Sequence, residues 1–89
     1  MALPRVVDVR PAGGGRLLLE FDNGESRAFD VTPYIRGNWY GKLADPDYFN
    51  TAHVVDGGRT IAWAHGQDIA PHELYELSVA VKLHQTSPL

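Results

Sequence analysis

Cysteine is absent from this 89-residue chain, which excludes disulfide staples, thiolate metal sites and thiol redox chemistry. Long apolar runs are absent as well. No stretch approaches a membrane span, and Met1–Arg5 lacks the apolar segment of a signal peptide. Positive charge is scarce: eight Lys and Arg stand against eleven Asp and Glu, for a net charge of −3. The cations Arg5, Arg10, Arg16, Arg27, Arg36, Lys42, Arg59 and Lys82 are scattered. Displacing counterions from phosphates needs several cations on one face, so no direct nucleic-acid binding is expected. These absences point to a cytoplasmic protein with no membrane association.

Catalytic patterns are missing too. Ser26, Ser78 and Ser87 lack a Gly-x-Ser-x-Gly context. Gly13-Gly14-Gly15 follows a strand but precedes another strand, with no Lys-Ser/Thr pair, so it is read as a flexible connection and not as a phosphate loop. Four histidines are present, yet no HxH, HxxH or HExxH spacing occurs, and a zinc site lacks its usual local pair. The expectation is a protein without metal or cofactor and without enzymatic activity.

What is present is an ordinary globular composition, 44% apolar and 21% charged, enough for one small core. One domain is expected over 1–89, folded from about 5 to 83, with a frayed tail over 84–89. Val7 and Val9 are expected on the inner face of a first strand, opposite Asp8 and Arg10. Leu17, Leu19 and Phe21 alternate inward along a second. Asn23-Gly24 predicts a two-residue type I′ hairpin, which would face Glu20 with Arg27 as a cross-strand ion pair and send Leu18 and Phe29 to the opposite face. Thr32-Pro33 and Asp45-Pro46 each resemble a capped helix start, with Tyr48 and Phe49 turned inward. Between them, Gly37–Gly41 reads as a loop carrying Trp39 and Tyr40, either a lid over one end of the sheet or an exposed contact patch.

A second hairpin is expected from His53–Val55 and Arg59–Trp63 around Asp56-Gly57-Gly58, with Ile61 and Trp63 on one face. From residue 71 to about 83 the period becomes helical, with Leu74, Leu77 and Val81 on one stripe and Lys82 and His84 at the negative end of the helix. The fold class is therefore α+β: a small, mainly antiparallel sheet of about four to five strands with short helical turns and one C-terminal helix. Asp68 precedes that helix by three residues and has two readings. It is a displaced helix cap, or it contacts a ligand or partner together with Trp63 and His65.

These residues resemble a small bacterial family labelled domain of unknown function 2442. The resemblance is carried by Val7 and Val9, by Leu19, Phe21 and Gly24, by Phe29-Asp30-Val31, and by Leu43, Asp45 and Phe49. It is densest in Ile-x-Trp-x-x-Gly-x-Asp-Ile-Ala-Pro-x-x-Leu-Tyr, here Ile61 to Tyr75. Family members often carry proline after the tryptophan, where this chain has Ala64. The resemblance implies an α+β fold and no assigned activity. It also implies, by gene association, an antitoxin-like role beside a second small family, domain of unknown function 4160. The expected function is thus a protein-interaction or regulatory module whose partner is a small protein encoded by a neighbouring gene. The candidate contact residues are Trp39, Tyr40, Trp63, His65 and Asp68. The alternative is a small-ligand-binding sensory domain with its ligand near Trp63, His65 and Asp68.

Overall fold

A computed structural model describes residues 3–81. Strands β1 (Val6–Pro11), β2 (Arg16–Phe21) and β3 (Ser26–Asp30) form an antiparallel meander. A helical connection follows: a 3-10 turn at Thr32–Tyr34, α1 (Gly37–Tyr40), a second 3-10 turn at Gly41–Ala44, and α2 (Pro46–Phe49). Then come the hairpin β4 (His53–Val55) and β5 (Thr60–Ala62), α3 (Pro71–Glu76) and β6 (Val79–Ala80). The first sheet is ordered β1-β2-β3-β6 and the second pairs β4 with β5. The class is α+β. No helix among the described residues is long and apolar enough to cross a membrane.

Alternation places Leu17, Leu19 and Phe21 inward, as their spacing predicts, and all three are buried. They meet Phe29, Val31, Leu43, Phe49, Ile61, Trp63, Ile69 and Leu74 in one core built from both sheets, the helical connection and α3. Burying each large apolar side chain contributes about 1.5–3 kcal/mol. The β4–β5 hairpin packs beside β1, and Arg5 fastens it there by donating from Nη1 to the Gly57 carbonyl at 3.0 Å.

Two registers differ from the sequence reading. In β1, Val6 pairs with Phe21 but Asp8 pairs with Glu20, so Val7 is the extra residue of a bulge. Val6 is buried and Val9 packs against the core, whereas Val7 is 60% exposed. The β2–β3 loop has three residues, not two. Phe21 N–H donates to the Glu25 carbonyl at 2.9 Å and Gly24 N–H to the Phe21 carbonyl at 3.0 Å. Only Gly24 takes a positive φ, 88°, which is a type I turn closed by a left-handed glycine. Side chains select it: the Asn23 carbonyl oxygen accepts from Glu25 N–H at 3.0 Å, and Asp22 Oδ1 accepts from Arg5 N–H at 3.0 Å.

That one-residue shift reverses the faces of β3. Phe29 now faces Leu17 in the core, and Leu18 faces Ala28 on the outer side. Glu20 takes a hydrogen bond from the Ser26 hydroxyl at 3.0 Å and does not pair with Arg27. Arg27 moves to the rim of the core face. There its guanidinium lies 4.4 Å from the centre of the Tyr75 ring and donates to Ser78 Oγ at 2.6 Å and the Ser78 carbonyl at 2.8 Å.

The same contacts explain the end of α3. It stops at Glu76, and β-branched Val79 joins β3 as part of β6 instead of extending the helix. Leu77 is consequently 61% exposed and does not extend a helical stripe. The positions assigned to Lys82, His84 and the tail lie outside the described residues. The helix start at Asp45 is as expected, with Oδ1 accepting from Asp47 N–H at 3.0 Å. The Thr32-Pro33 turn forms, but its hydroxyl donates to Asp30 Oδ1 at 2.7 Å and caps nothing.

Candidate functional site

The block from Thr60 to Tyr75 builds a tip that hydrogen bonds tie to the helical connection. β5 delivers Trp63 into the core, and the chain reverses over Ala64, His65 and Gly66. Trp63 N–H donates to the Gln67 carbonyl and Gly66 N–H to the Trp63 carbonyl, both at 2.9 Å. Gly66 sits at φ 104°, where an L side chain would be strained. The returning strand bridges Ala62 through Asp68. Inward alternation therefore continues across the tip: Ile61 and Trp63 on the way out, Gln67 and Ile69 on the way back, all buried.

A fully buried glutamine must satisfy its amide, and Gln67 does so with two elements of the helical connection. Its Oε1 accepts from the Tyr48 hydroxyl at 2.5 Å, and its Nε2 donates to the Trp39 carbonyl at 2.9 Å. The Tyr48 oxygen also accepts from His65 N–H at 2.7 Å, and Thr51 Oγ1 accepts from Ala64 N–H at 3.1 Å. Tyr40 donates its hydroxyl to the Asp68 carbonyl at 2.8 Å. Segment 37–51 and tip 64–68 are thus held as one piece. Tyr34, at the foot of this segment, donates to Glu73 Oε1 at 2.7 Å, and burial together with that carboxylate pushes its phenol up to about 12.

The five sequence candidates separate in this frame. Trp63 is 1% exposed, its indole N–H donating to the Phe49 carbonyl at 3.0 Å. A ligand resting on His65 and Asp68 would not reach that ring. Tyr40 is half-buried and bonded to the tip. The loop expected around it is helical, because Gly37–Tyr40 and Gly41–Ala44 form consecutive short turns. Trp39 is 48% exposed on α1. His65 is exposed, with its ring 5.0 Å from that of Tyr48. Asp68 is exposed and does not cap α3: no side chain caps that helix, whose N-cap is Ala70. The Asp68 carboxylate makes no hydrogen bond among the described residues.

Gln67 is the residue that sequence reasoning missed. Its signal was the period of two on both arms of the turn, 61 and 63 against 67 and 69, which places position 67 inside. At the tip, the exposed titratable groups among the described residues are the His65 imidazole and the Asp68 carboxylate. Among the described residues, no group of three or more His, Cys, Asp or Glu could hold a metal ion.

The profile of the family described as protein of unknown function (DUF2442) matches residues 6–80. The chain belongs to that family. No curated protein and no solved structure matches it. In this DUF2442 domain, the motif positions Ile61, Trp63, Ile69 and Leu74 are core residues, Gly66 makes the turn, and Pro71 opens α3. Tyr75 stacks edge-on against Phe21 at 5.1 Å and donates to Glu25 Oε1 at 2.5 Å. The Asp68 carboxylate has no such structural task among the described residues.

Proposed function

We propose that this domain is a non-enzymatic protein-interaction module, acting as the antitoxin-like partner of a small protein encoded by a neighbouring gene. One observation carries the reading. Trp39 is 48% exposed, although the backbone that bears it is fastened to the 64–68 tip through Gln67 and Tyr40. An exposed tryptophan on an immobilised backbone loses little entropy on binding, and tryptophan is enriched among residues that dominate interface energies. His65 and Asp68 would supply the polar contacts around it.

Charge supports a basic protein partner over nucleic acid. The chain carries a net −3. Arg10 pairs with Asp8 at 3.2 Å, and Arg5 and Arg27 are bonded to Gly57 and Ser78. Complementary charge would speed encounter with a basic surface. Co-expression with the product of the adjacent gene, followed by size exclusion at micromolar concentration, tests the pairing. Co-elution is expected; separate elution contradicts it.

A further inference from the structure

We propose that a second site, in the cleft between the Gly13–Gly15 loop and the helical connection, binds a small, neutral, mainly apolar molecule bearing a hydrogen-bonding group. The cleft has a volume of about 370 Å³, within the range of small-molecule pockets, roughly 300–1,000 Å³. Pro11, Ile35, Leu43 and Phe49 contribute apolar walls, while Thr32 and Asn50 are its polar side chains. None of the residues lining it carries a charge. An ion entering it would lose hydration without meeting a counter-charge on the wall, which is strongly unfavourable. The chemistry therefore selects a neutral occupant with an apolar body and one polar end.

The glycine loop keeps this concavity open. Gly13, Gly14 and Gly15 have φ of 84°, 64° and 77°, a region that L side chains rarely adopt. A Cβ on Gly15 would lie 2.5 Å from Thr32 Cγ2, so the loop comes this close to the connection only without one. The segment that borders the cleft thus carries no side chain that could plug it. The inference is independent of the Trp39–Asp68 surface.

The test uses the full chain and the neutral probe N-phenyl-1-naphthylamine, titrated while amide shifts are followed by NMR. Saturable binding at one equivalent is expected, with the largest shifts at Gly13–Gly15, Ile35, Leu43 and Asn50. Ala44→Trp adds bulk at an exposed wall position; it should weaken binding at least about tenfold with an unchanged melting midpoint. Trp39→Ala should leave probe affinity as it was, which separates this site from the proposed partner surface. Absence of saturation at millimolar probe, shifts centred elsewhere, or wild-type affinity in a folded Ala44→Trp variant would each overturn the proposal. If that variant does not fold, the wild-type shift map decides alone.

Discussion

Replacing Gln67 with leucine should be among the most damaging near-isosteric changes available to this fold. Gln67 is fully buried, and its amide joins the Tyr48 hydroxyl at 2.5 Å to the Trp39 carbonyl at 2.9 Å. Leucine keeps the volume but leaves that hydroxyl hydrogen and that carbonyl without their partner. Each buried group left unsatisfied costs about 1–3 kcal/mol. Tyr48 is only partly buried and Trp39 is exposed, and leucine contributes some added apolar burial, so the low end of the summed range applies, about 2–3 kcal/mol. For a domain of this size about 1 kcal/mol moves the midpoint by roughly 4–8 °C. The expected drop in melting temperature by circular dichroism is therefore roughly 10–20 °C. Amide exchange over 37–40 should quicken, because α1 loses its tie to the tip. A midpoint within about 3 °C of wild type, with exchange over 37–40 unaltered, would refute the view that Gln67 fastens the two segments.

Gly24→Val should destabilise the fold by about 1–2 kcal/mol, because a β-branched residue is strained at φ 88°; a melt unchanged from wild type would contradict that turn. Arg27→Ala should cost about 1.5–3 kcal/mol, the range for hydrogen bonds from charged groups. It should also speed exchange of the Val81 amide, which donates to the Ser26 carbonyl at 2.8 Å, and wild-type protection there would contradict a role for Arg27 in docking β6. Glu25 is held below its ordinary 4.5, chiefly by the Tyr75 hydroxyl and then by the Asn23 amide. A depressed folded-state value means that its contribution is present above about 4.5 and is lost as pH falls through the folded-state value. Melting temperature should accordingly fall on acidification below that point, and Glu25→Gln should flatten part of the fall; identical pH profiles would argue against it.

Much of the fold was legible because the deciding signals were local. Alternation in Leu17–Phe21, the Asp45 cap and the β4–β5 hairpin all follow from neighbours in sequence. The β2–β3 register was not legible from Asn23-Gly24, because Asp22 and Asn23 side-chain bonds favour a three-residue loop over the two-residue one. The bulge at Val7 became visible only once β1 was laid against β2. The end of α3 depends on Arg27, about fifty residues away in sequence, and on an edge of β3 able to pair with Val79 and Ala80. At the candidate site, the residue types were readable but their exposure was not. Trp63 and Trp39 are equally apolar in sequence, and only the packed core separates the buried anchor from the exposed ring.

Under the proposed function, Asp68 and Trp39 meet the partner while Trp63 and Gln67 hold the fold. The direct measurement pairs a denaturant melt of Asp68→Ala with its co-elution on size exclusion beside the product of the adjacent gene. Asp68 is exposed and caps no helix, so its midpoint should match wild type within about 0.5 kcal/mol, while the complex should weaken or dissociate. A midpoint lowered by the roughly 0.5–2 kcal/mol of a lost cap, or a complex formed as tightly as with the wild-type chain, would contradict the account.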